Sequence, residues 1–124
     1  MRIKQTVNVR AAEDTAMEQT IFGKADGFAT ITHDDYDQVS GGTINIDASS
    51  NEDVPLRDVD TIAGVFISVD QNCTITLNGG AEAINIVKPA SGNAQFFMNG
   101  PVTQINIATT TALTGLFCIW GSAS

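Results

Sequence analysis

The sequence has little of what catalytic and metal centres use. It contains one histidine, His33, and two cysteines, Cys73 and Cys118, which lie too far apart in sequence for a CxxC pair or a zinc-type cluster. A nucleophilic hydrolase needs a base, usually a histidine, beside a Ser, Thr or Cys, and a cupin-type metal centre uses several imidazoles. The motifs HExxH, GxSxG, GxxxxGKS/T and GxGxxG are absent. We therefore predict that the protein is not an enzyme, and that it holds no cofactor and no metal.

Basic residues are also scarce, with six against fourteen acidic residues and a net charge of -8. This charge opposes the counterion release that drives binding to nucleic acid phosphates, and it disfavours anionic membranes, so we expect neither partner. No apolar run approaches the roughly 20 residues of a membrane-spanning helix. Residues 1–10 lack the apolar segment of a secretory signal, so we expect no export. Without export, the two thiols are expected to be reduced core side chains rather than a disulfide.

Charge is distributed unevenly along the chain. Thirteen of the fourteen acidic residues lie at or before Asp70, and residues 89–124 carry no charged side chain. Soluble surfaces rarely lack charge over such a length, so part of this segment is expected to face another subunit. The residues predicted at that subunit interface are Phe96, Phe97, Met98, Leu116 and Trp120.

The dominant hydrophobic period is two, which is typical of strands whose successive side chains face opposite sides of a sheet. Nine strands are predicted, at 2–9, 27–32, 42–47, 61–69, 72–79, 83–87, 94–98, 103–108 and 113–120. Turn-forming clusters separate many of them, at 40–42, 70–72, 78–80, 91–93 and 99–101. We predict an all-β fold, a jelly-roll-like β-sandwich of about eight or nine short antiparallel strands.

One sandwich domain is expected to span residues 1–124, with residues 1–20 as a peripheral strand or arm. Residues 11–19 are predicted to form a loop or one or two helical turns. The polar segment 47–60 contains Pro55 and has no steady period, so it is predicted to be a long, hydrated crossover loop.

The segment ITHDDYDQVSGG (31–42) combines the only histidine and the only tyrosine with three aspartates. Two functional interpretations of this segment are possible. One is a hydrolase built on Asp35 and His33, and the other is a calcium site on Asp34, Asp35 and Asp37. The ligand spacing of an EF-hand is absent, however. We interpret the segment as a strand end running into an acidic turn, with Tyr36 packed on the loop.

The second half of the chain resembles small virion structural proteins of tailed bacteriophages, of the capsid decoration (cement) type. The resemblance covers about residues 59–121 and is carried by VDTIAGVFISVDQNCTITLNGG, AINIVKPASGNAQFFMNG and TQINIATTTALTGLFCIWG. It implies a β-sandwich, commonly a jelly roll, that forms trimers on the capsid lattice and bridges neighbouring major capsid subunits. The implied location is the virion, assembled in the host cytoplasm.

The expected function is therefore that of a non-enzymatic virion structural protein whose partners are copies of itself and the major capsid protein of the same phage. The basic residues Arg2, Lys4 and Arg10 are expected to face an acidic capsid partner. The alternative is a carbohydrate- or receptor-binding β-sandwich module of a phage tail. It would use Trp120 or Tyr36 as a stacking surface.

Overall fold

The computed structural model describes residues 36–123 in full and, among the first 35 residues, only the backbone of four short strands. These strands are β1 (Ile3–Val7), β2 (Arg10–Ala12), β3 (Thr20–Gly23) and β4 (Ala29–His33). β1 pairs with β4 and β2 pairs with β3, both in antiparallel orientation. The chain divides into two compact units, Met1–Tyr36 and Asp37–Ser124. The expectation of one domain across residues 1–124, with a peripheral arm at 1–20, stays a prediction.

The second unit is built from eight strands in two antiparallel sheets of four. The strands are β5 (Gln38–Ile46), β6 (Ser50–Asp53), β7 (Thr61–Val69), β8 (Cys73–Leu77), β9 (Ala83–Ile86), β10 (Ala94–Asn99), β11 (Ile105–Thr109) and β12 (Leu113–Ser122). The first sheet has the order β10-β7-β12-β5, and the second sheet has the order β6-β11-β8-β9. No helix occurs in the described parts of the chain, and so none that could cross a membrane. The predicted all-β sandwich of antiparallel strands is confirmed.

Strand pairing in this unit is nested. The first strand, β5, pairs with the last strand, β12, and inside them β6 pairs with β11, β7 with β10 and β8 with β9. The eight strands thus follow the path of one long antiparallel hairpin that is folded over into two sheets. Each sheet therefore contains strands that are far apart in sequence.

The core lies between the two sheets because alternate residues of each strand turn inward. The fully buried side chains are Ile46, Val65, Ile67, Val69, Leu113 and Ile119 from the first sheet and Ile75, Ile105 and Ile107 from the second. Buried side chains of both sheets form one hydrophobic cluster. Burial of each such aliphatic side chain stabilises the fold by about 1.5–3 kcal/mol.

The predicted turns at 70–72, 78–80, 91–93 and 99–101 lie between strands or at a strand end. At the second of these turns, Asn78 and Gly79 both have positive φ, at 57° and 67°. The Asn78 side chain also fixes the loop after β10, because its Oδ1 accepts hydrogen bonds from the Thr103 N–H at 2.7 Å and the Thr103 hydroxyl at 3.1 Å. Asparagine suits this turn because it tolerates positive φ and binds nearby backbone.

Two predictions about loops are wrong. Ser40, Gly41 and Gly42 were expected to close an acidic turn, but they lie inside β5. Gly41 serves a close approach of strands there, because a Cβ at that position would come within 2.8 Å of the Phe117 carbonyl oxygen. The predicted crossover loop at 47–60 contains β6, an exposed edge strand whose polar sequence SNED has no apolar alternation.

Candidate interaction surface

The outward side of the first sheet carries a row of apolar and small residues that crosses all four strands. Strand register places Phe97 opposite Phe66, Phe66 opposite Cys118, and Cys118 opposite Gly41. These residues face outward because their neighbours in sequence, such as Ile67 and Phe117, lie in the core between the sheets. We call the outward set Val39, Phe66, Phe97, Leu116, Cys118 and Trp120 the outer apolar face.

Trp120 is held against the sheet by a glycine on the neighbouring strand. It pairs with Gly64 of β7, and a Cβ at Gly64 would lie 2.2 Å from the indole ring. The Phe97 ring lies beside the indole, with a centroid distance of 6.2 Å and an interplanar angle of 38°. Trp120 is only 5% exposed, and its buried Nε1 has no hydrogen-bond acceptor among the residues that the structure describes. The indole therefore forms the floor of the outer apolar face.

Three large side chains of the outer apolar face are open to solvent. Leu116 and Val39 are each 50% exposed, and Phe97 is 41% exposed. An apolar group at this exposure gains only part of the free energy of full burial, because two-fifths to half of its surface is still in water. The face therefore retains apolar area that a partner can bury.

No residue in the four strands of the first sheet carries a charge. The charged side chains within residues 36–123 lie in loops or in β6, which contains Glu52 and Asp53. Native interfaces are depleted of charge at their centre and polar at the rim. The first sheet shows that distribution, with an uncharged face and acidic loops around it.

The structure separates the five predicted interface residues into two groups. Phe97, Leu116 and Trp120 lie together on the outer apolar face, whereas Phe96 and Met98 are half-buried against the core. The alternation of β10 causes this separation, as adjacent side chains must face opposite sides of the sheet. The interface role of all five residues stays a prediction.

Sequence reasoning missed Val39, Phe66 and Cys118 as members of this face. The side of the strand on which Phe66 and Cys118 lie could be predicted, because they alternate with core residues in β7 and β12. What could not be read was the register that aligns these strands side by side. Val39 was also hidden because the segment 31–42 was interpreted as a turn.

Burial raises the pKa of the Cys118 thiol, and it does the same for Cys73 of β8. Both cysteines are free. A raised pKa keeps each thiol protonated at neutral pH, which makes it a poor nucleophile and a poor metal ligand. Cys73 lies in the core as expected, whereas Cys118 is half-buried on the outer apolar face and not in the core.

The predicted capsid-contact residues cannot be placed by side chain. Arg2 lies outside the described residues, and for Lys4 in β1 and Arg10 in β2 the structure describes the strand backbone only. Their contact with an acidic partner stays a prediction.

In the acidic segment around His33, Asp37 forms hydrogen bonds that hold the chain to another strand. His33 ends β4, while Asp34 and Asp35 lie outside the described residues. The Asp37 N–H donates to the Gly121 carbonyl at 3.1 Å, and the Asp37 carboxylate accepts from the Ala123 N–H at 3.0 Å. Asp37 thus binds the chain that leads into β5 to the end of β12.

Two further carboxylates are occupied by hydrogen bonds within the fold. Hydrogen bonds from the side-chain amides of Asn106 (2.9 Å) and Gln104 (3.1 Å) lower the pKa of Asp53, which lies in β6. The backbone N–H and the hydroxyl of Thr114, both at 2.8 Å, lower the pKa of Asp70. No group of three or more His, Cys, Asp or Glu side chains that could hold a metal occurs in the described ranges.

An open hollow of about 370 Å³ lies where β8, β9 and β11 end together. Its lining is asparagine, threonine and aliphatic residues, with Cys73 as the titratable group. Because the pKa of Cys73 is raised, the hollow offers no base or acid near neutral pH. Of the sites on the described residues, the outer apolar face remains the strongest functional candidate.

Comparison of the chain with protein-family models, with curated proteins and with solved structures gave no match.

Proposed function

We propose that this chain is a non-enzymatic virion structural protein. Its most specific proposed role is that of a decoration (cement) protein, which binds the head of a tailed bacteriophage and bridges neighbouring major capsid subunits. The observation that carries the proposal is the outer apolar face on a wholly uncharged sheet, in a chain with a net charge of -8. A contiguous apolar patch with a polar rim marks a surface that contacts another protein.

The strand pairing supports the same role. Nested pairing of eight strands in two sheets supports a jelly-roll assignment, and the jelly roll is a common architecture of viral capsid proteins. It is also the fold implied by the resemblance of residues 59–121. Fold alone does not define function, so the proposal depends on the surface rather than on the architecture.

The mechanism needs no chemical step. A protein that binds the assembled capsid lattice but not the free capsid subunit stabilises the lattice by mass action. The acidic loops keep neighbouring molecules soluble, while the outer apolar face is buried against a protein neighbour. Copies are proposed to associate as trimers, with Arg2, Lys4 and Arg10 towards the capsid.

The decoration role is favoured over a carbohydrate- or receptor-binding tail module. A sugar-stacking platform must offer the face of an aromatic ring to solvent. Trp120 is 5% exposed and packed on Gly64, so its ring offers no such face, and Tyr36 is half-buried.

Co-sedimentation with phage heads tests the proposal. Heads assembled from the major capsid protein alone are mixed with the purified chain, and the pelleted chain is measured against its concentration. We expect saturable binding and heads that resist a higher temperature, with no binding to unassembled capsid protein. Leu116→Asp should lose binding, because it places a charge at the centre of the outer apolar face.

Val87→Asp is the matched control for this experiment. Val87 is also an exposed apolar residue, at 73%, but it follows β9 in the second sheet, so its substitution should leave head binding unchanged. Failure of the unmodified chain to sediment with heads would overturn the decoration role. Saturable binding on a glycan array would replace it with the tail-module alternative.

A further inference from the structure

The first sheet ends in two edge strands, β5 and β10. β5 pairs with β12 alone and β10 pairs with β7 alone among the strands that the structure describes. In an edge strand, every second residue turns its N–H and C=O away from the sheet. Such an edge can pair with a strand of another chain.

Within the described residues, β10 and the Gly41–Ile46 part of β5 lack the usual protection against pairing, whereas Asp58 and Asp60 bind the Ser40 and Gln38 side chains at the start of β5. Native edge strands are blocked by charged side chains, proline, bulges or short length. β5 has nine residues and β10 has six, neither contains a charged residue or proline, and neither shows a register shift against its partner. The second sheet differs, since β6 carries two carboxylates and β9 has only four residues.

The two edges have complementary shapes. The row that crosses the sheet begins at Phe97 on β10, which is 41% exposed, and ends at Gly41 on β5. Gly41 and the adjacent Gly42 are exposed and have no side chain. One edge strand therefore carries an aromatic ring, which lies beside Trp120, where the opposite edge leaves bare backbone. A cross-strand aromatic ring can cover such an edge glycine.

Strand direction also fits. β7 and β5 run in one direction, and β10 and β12 run in the other. If β10 of a second copy lies beside β5, the alternation continues as an antiparallel pair. The Phe97 ring of the second copy then extends the row beyond Gly41, and the outer apolar faces of both copies become continuous.

Charge selects a second copy as the occupant. Two chains of net charge -8 repel each other, and they approach at least cost where neither presents a charge. The β10 edge and the Gly41–Ile46 part of the β5 edge meet that condition, because Asp58 and Asp60 lie only at the start of β5. A basic partner would instead be drawn to the acidic loops, which lie outside these strands.

We propose that β5 of one copy pairs with β10 of the next copy, so that the first sheet continues from subunit to subunit. This contact is head-to-tail, and a head-to-tail contact whose rotation closes produces a ring. The proposal deepens the proposed function, on which it rests for its biological use, by naming the edges through which decoration subunits associate.

Two edge variants test the contact in the full-length chain, with mass measured by light scattering after size exclusion. Thr43→Lys charges the β5 edge at an exposed position, and Phe97→Lys charges the β10 edge. We expect the unmodified chain to be a ring and each variant to be a monomer. Val87→Lys, at an exposed position that follows β9 of the other sheet, should keep the mass of the unmodified chain. A monomeric unmodified chain overturns the proposal.

Mixing the two variants tests the head-to-tail geometry. The Thr43→Lys copy retains an intact β10 edge and the Phe97→Lys copy retains an intact β5 edge, so the mixture should form a heterodimer and nothing larger. If the Phe97→Lys copy dimerises alone, β5 pairs with β5 and the proposal is wrong. Val39→Lys and Gln95→Lys replace either variant whose circular dichroism shows loss of the fold.

Head binding is measured separately, so the two proposals can fail independently. A chain that forms the ring but does not sediment with heads would overturn only the decoration role. A monomer that sediments with heads would overturn only the pairing of β5 with β10.

Discussion

Gly64 fixes the position of the single tryptophan. A Cβ at Gly64 would lie 2.2 Å from the Trp120 ring, so Gly64→Ala must displace the indole or the strand. We expect a loss of about 1–3 kcal/mol of unfolding free energy, the usual cost of overpacking a filled site. The fluorescence emission maximum of Trp120 should also shift to longer wavelength as the indole becomes more exposed to solvent. Urea unfolding followed by tryptophan fluorescence measures both effects.

Gly42→Ala is the matched control for this substitution. The nearest atom to a Cβ at Gly42 is on the Phe117 ring, at 3.3 Å, so the added methyl group needs a shift of only a few tenths of an ångström. Its cost in unfolding free energy should therefore be smaller, with Trp120 emission unchanged. Equal costs for the two substitutions would show that Trp120 is not held by Gly64.

Asp70 links stability to pH. Hydrogen bonds from the Thr114 backbone N–H and hydroxyl lower the pKa of Asp70 in the folded state below its ordinary value of 3.8. A group with a lowered folded pKa stabilises the fold above its unfolded pKa, and this stabilisation is lost as pH falls through the folded value. We therefore expect the unfolding free energy to fall as pH drops below 3.8.

Asp70→Asn separates this contribution from that of other carboxylates such as Asp53. The variant keeps an oxygen acceptor for Thr114 but loses the charge, so it should be less stable than the unmodified chain at neutral pH. Because the aspartate contribution is lost in acid, the difference in unfolding free energy should shrink below pH 3.8. A difference that stays constant with pH would contradict the assignment to Asp70.

Strand β12 allows a sharp test of the outward side of the first sheet, because Leu116 and Phe117 are neighbours that face opposite sides. Phe117 is buried in the core, whereas Leu116 is 50% exposed. Phe117→Ala should cost about 3–5 kcal/mol of unfolding free energy, as for other buried aromatics. Leu116→Ala should change it by no more than about 0.5 kcal/mol. Chemical denaturation of both variants compares the two values.

The relative size of the two losses tests whether Leu116 is open to solvent. Comparable losses for the two alanine variants would show that Leu116 is covered in the isolated molecule. The outer apolar face would then be internal packing, and both proposals built on it would fail.

Each of the nine strands predicted from period two overlaps a strand of the structure, because alternation of apolar side chains directly reports a half-buried strand. β2, which overlaps the predicted loop or helical turns at 11–19, and β3 were not predicted, and β6 was missed because it lacks this alternation. It is an edge strand held by pairing with β11, and its exposed side chains leave no hydrophobic signal. β5 was read only in its second half, since Gly41 and Gly42 imitate a turn.

The outer apolar face could be predicted only in part. Because adjacent side chains of a strand face opposite sides of the sheet, Phe97 must face away from the side that Phe96 and Met98 share. The structure places Phe96 and Met98 against the core and Phe97 on the outward side. Contact between Phe97 and Trp120 was not readable, because it depends on β10 and β12 both pairing with β7. Sequence reports which residues share a face of one strand, while strand order comes from the tertiary fold.

Net charge makes a prediction for the whole molecule. If copies associate through uncharged edges while a net charge of -8 repels them, added salt should strengthen association by screening the repulsion. We expect the self-association constant to rise from about 50 mM to about 500 mM NaCl, as the Debye length falls. Sedimentation equilibrium over this range measures the trend. Association that weakens with salt would point to ion pairs across the contact instead.

The nested strand order also governs when the molecule can form. β5 pairs along its whole length with β12, so the first strand of the sandwich cannot complete its sheet until the last strand has been synthesised and has left the ribosome. Pairings this distant in sequence carry a large loop-closure entropy and slow the folding reaction. The finished surface therefore arises only after β12 has been synthesised, and a chain cut short of β12 lacks the strand that joins β5 to β7.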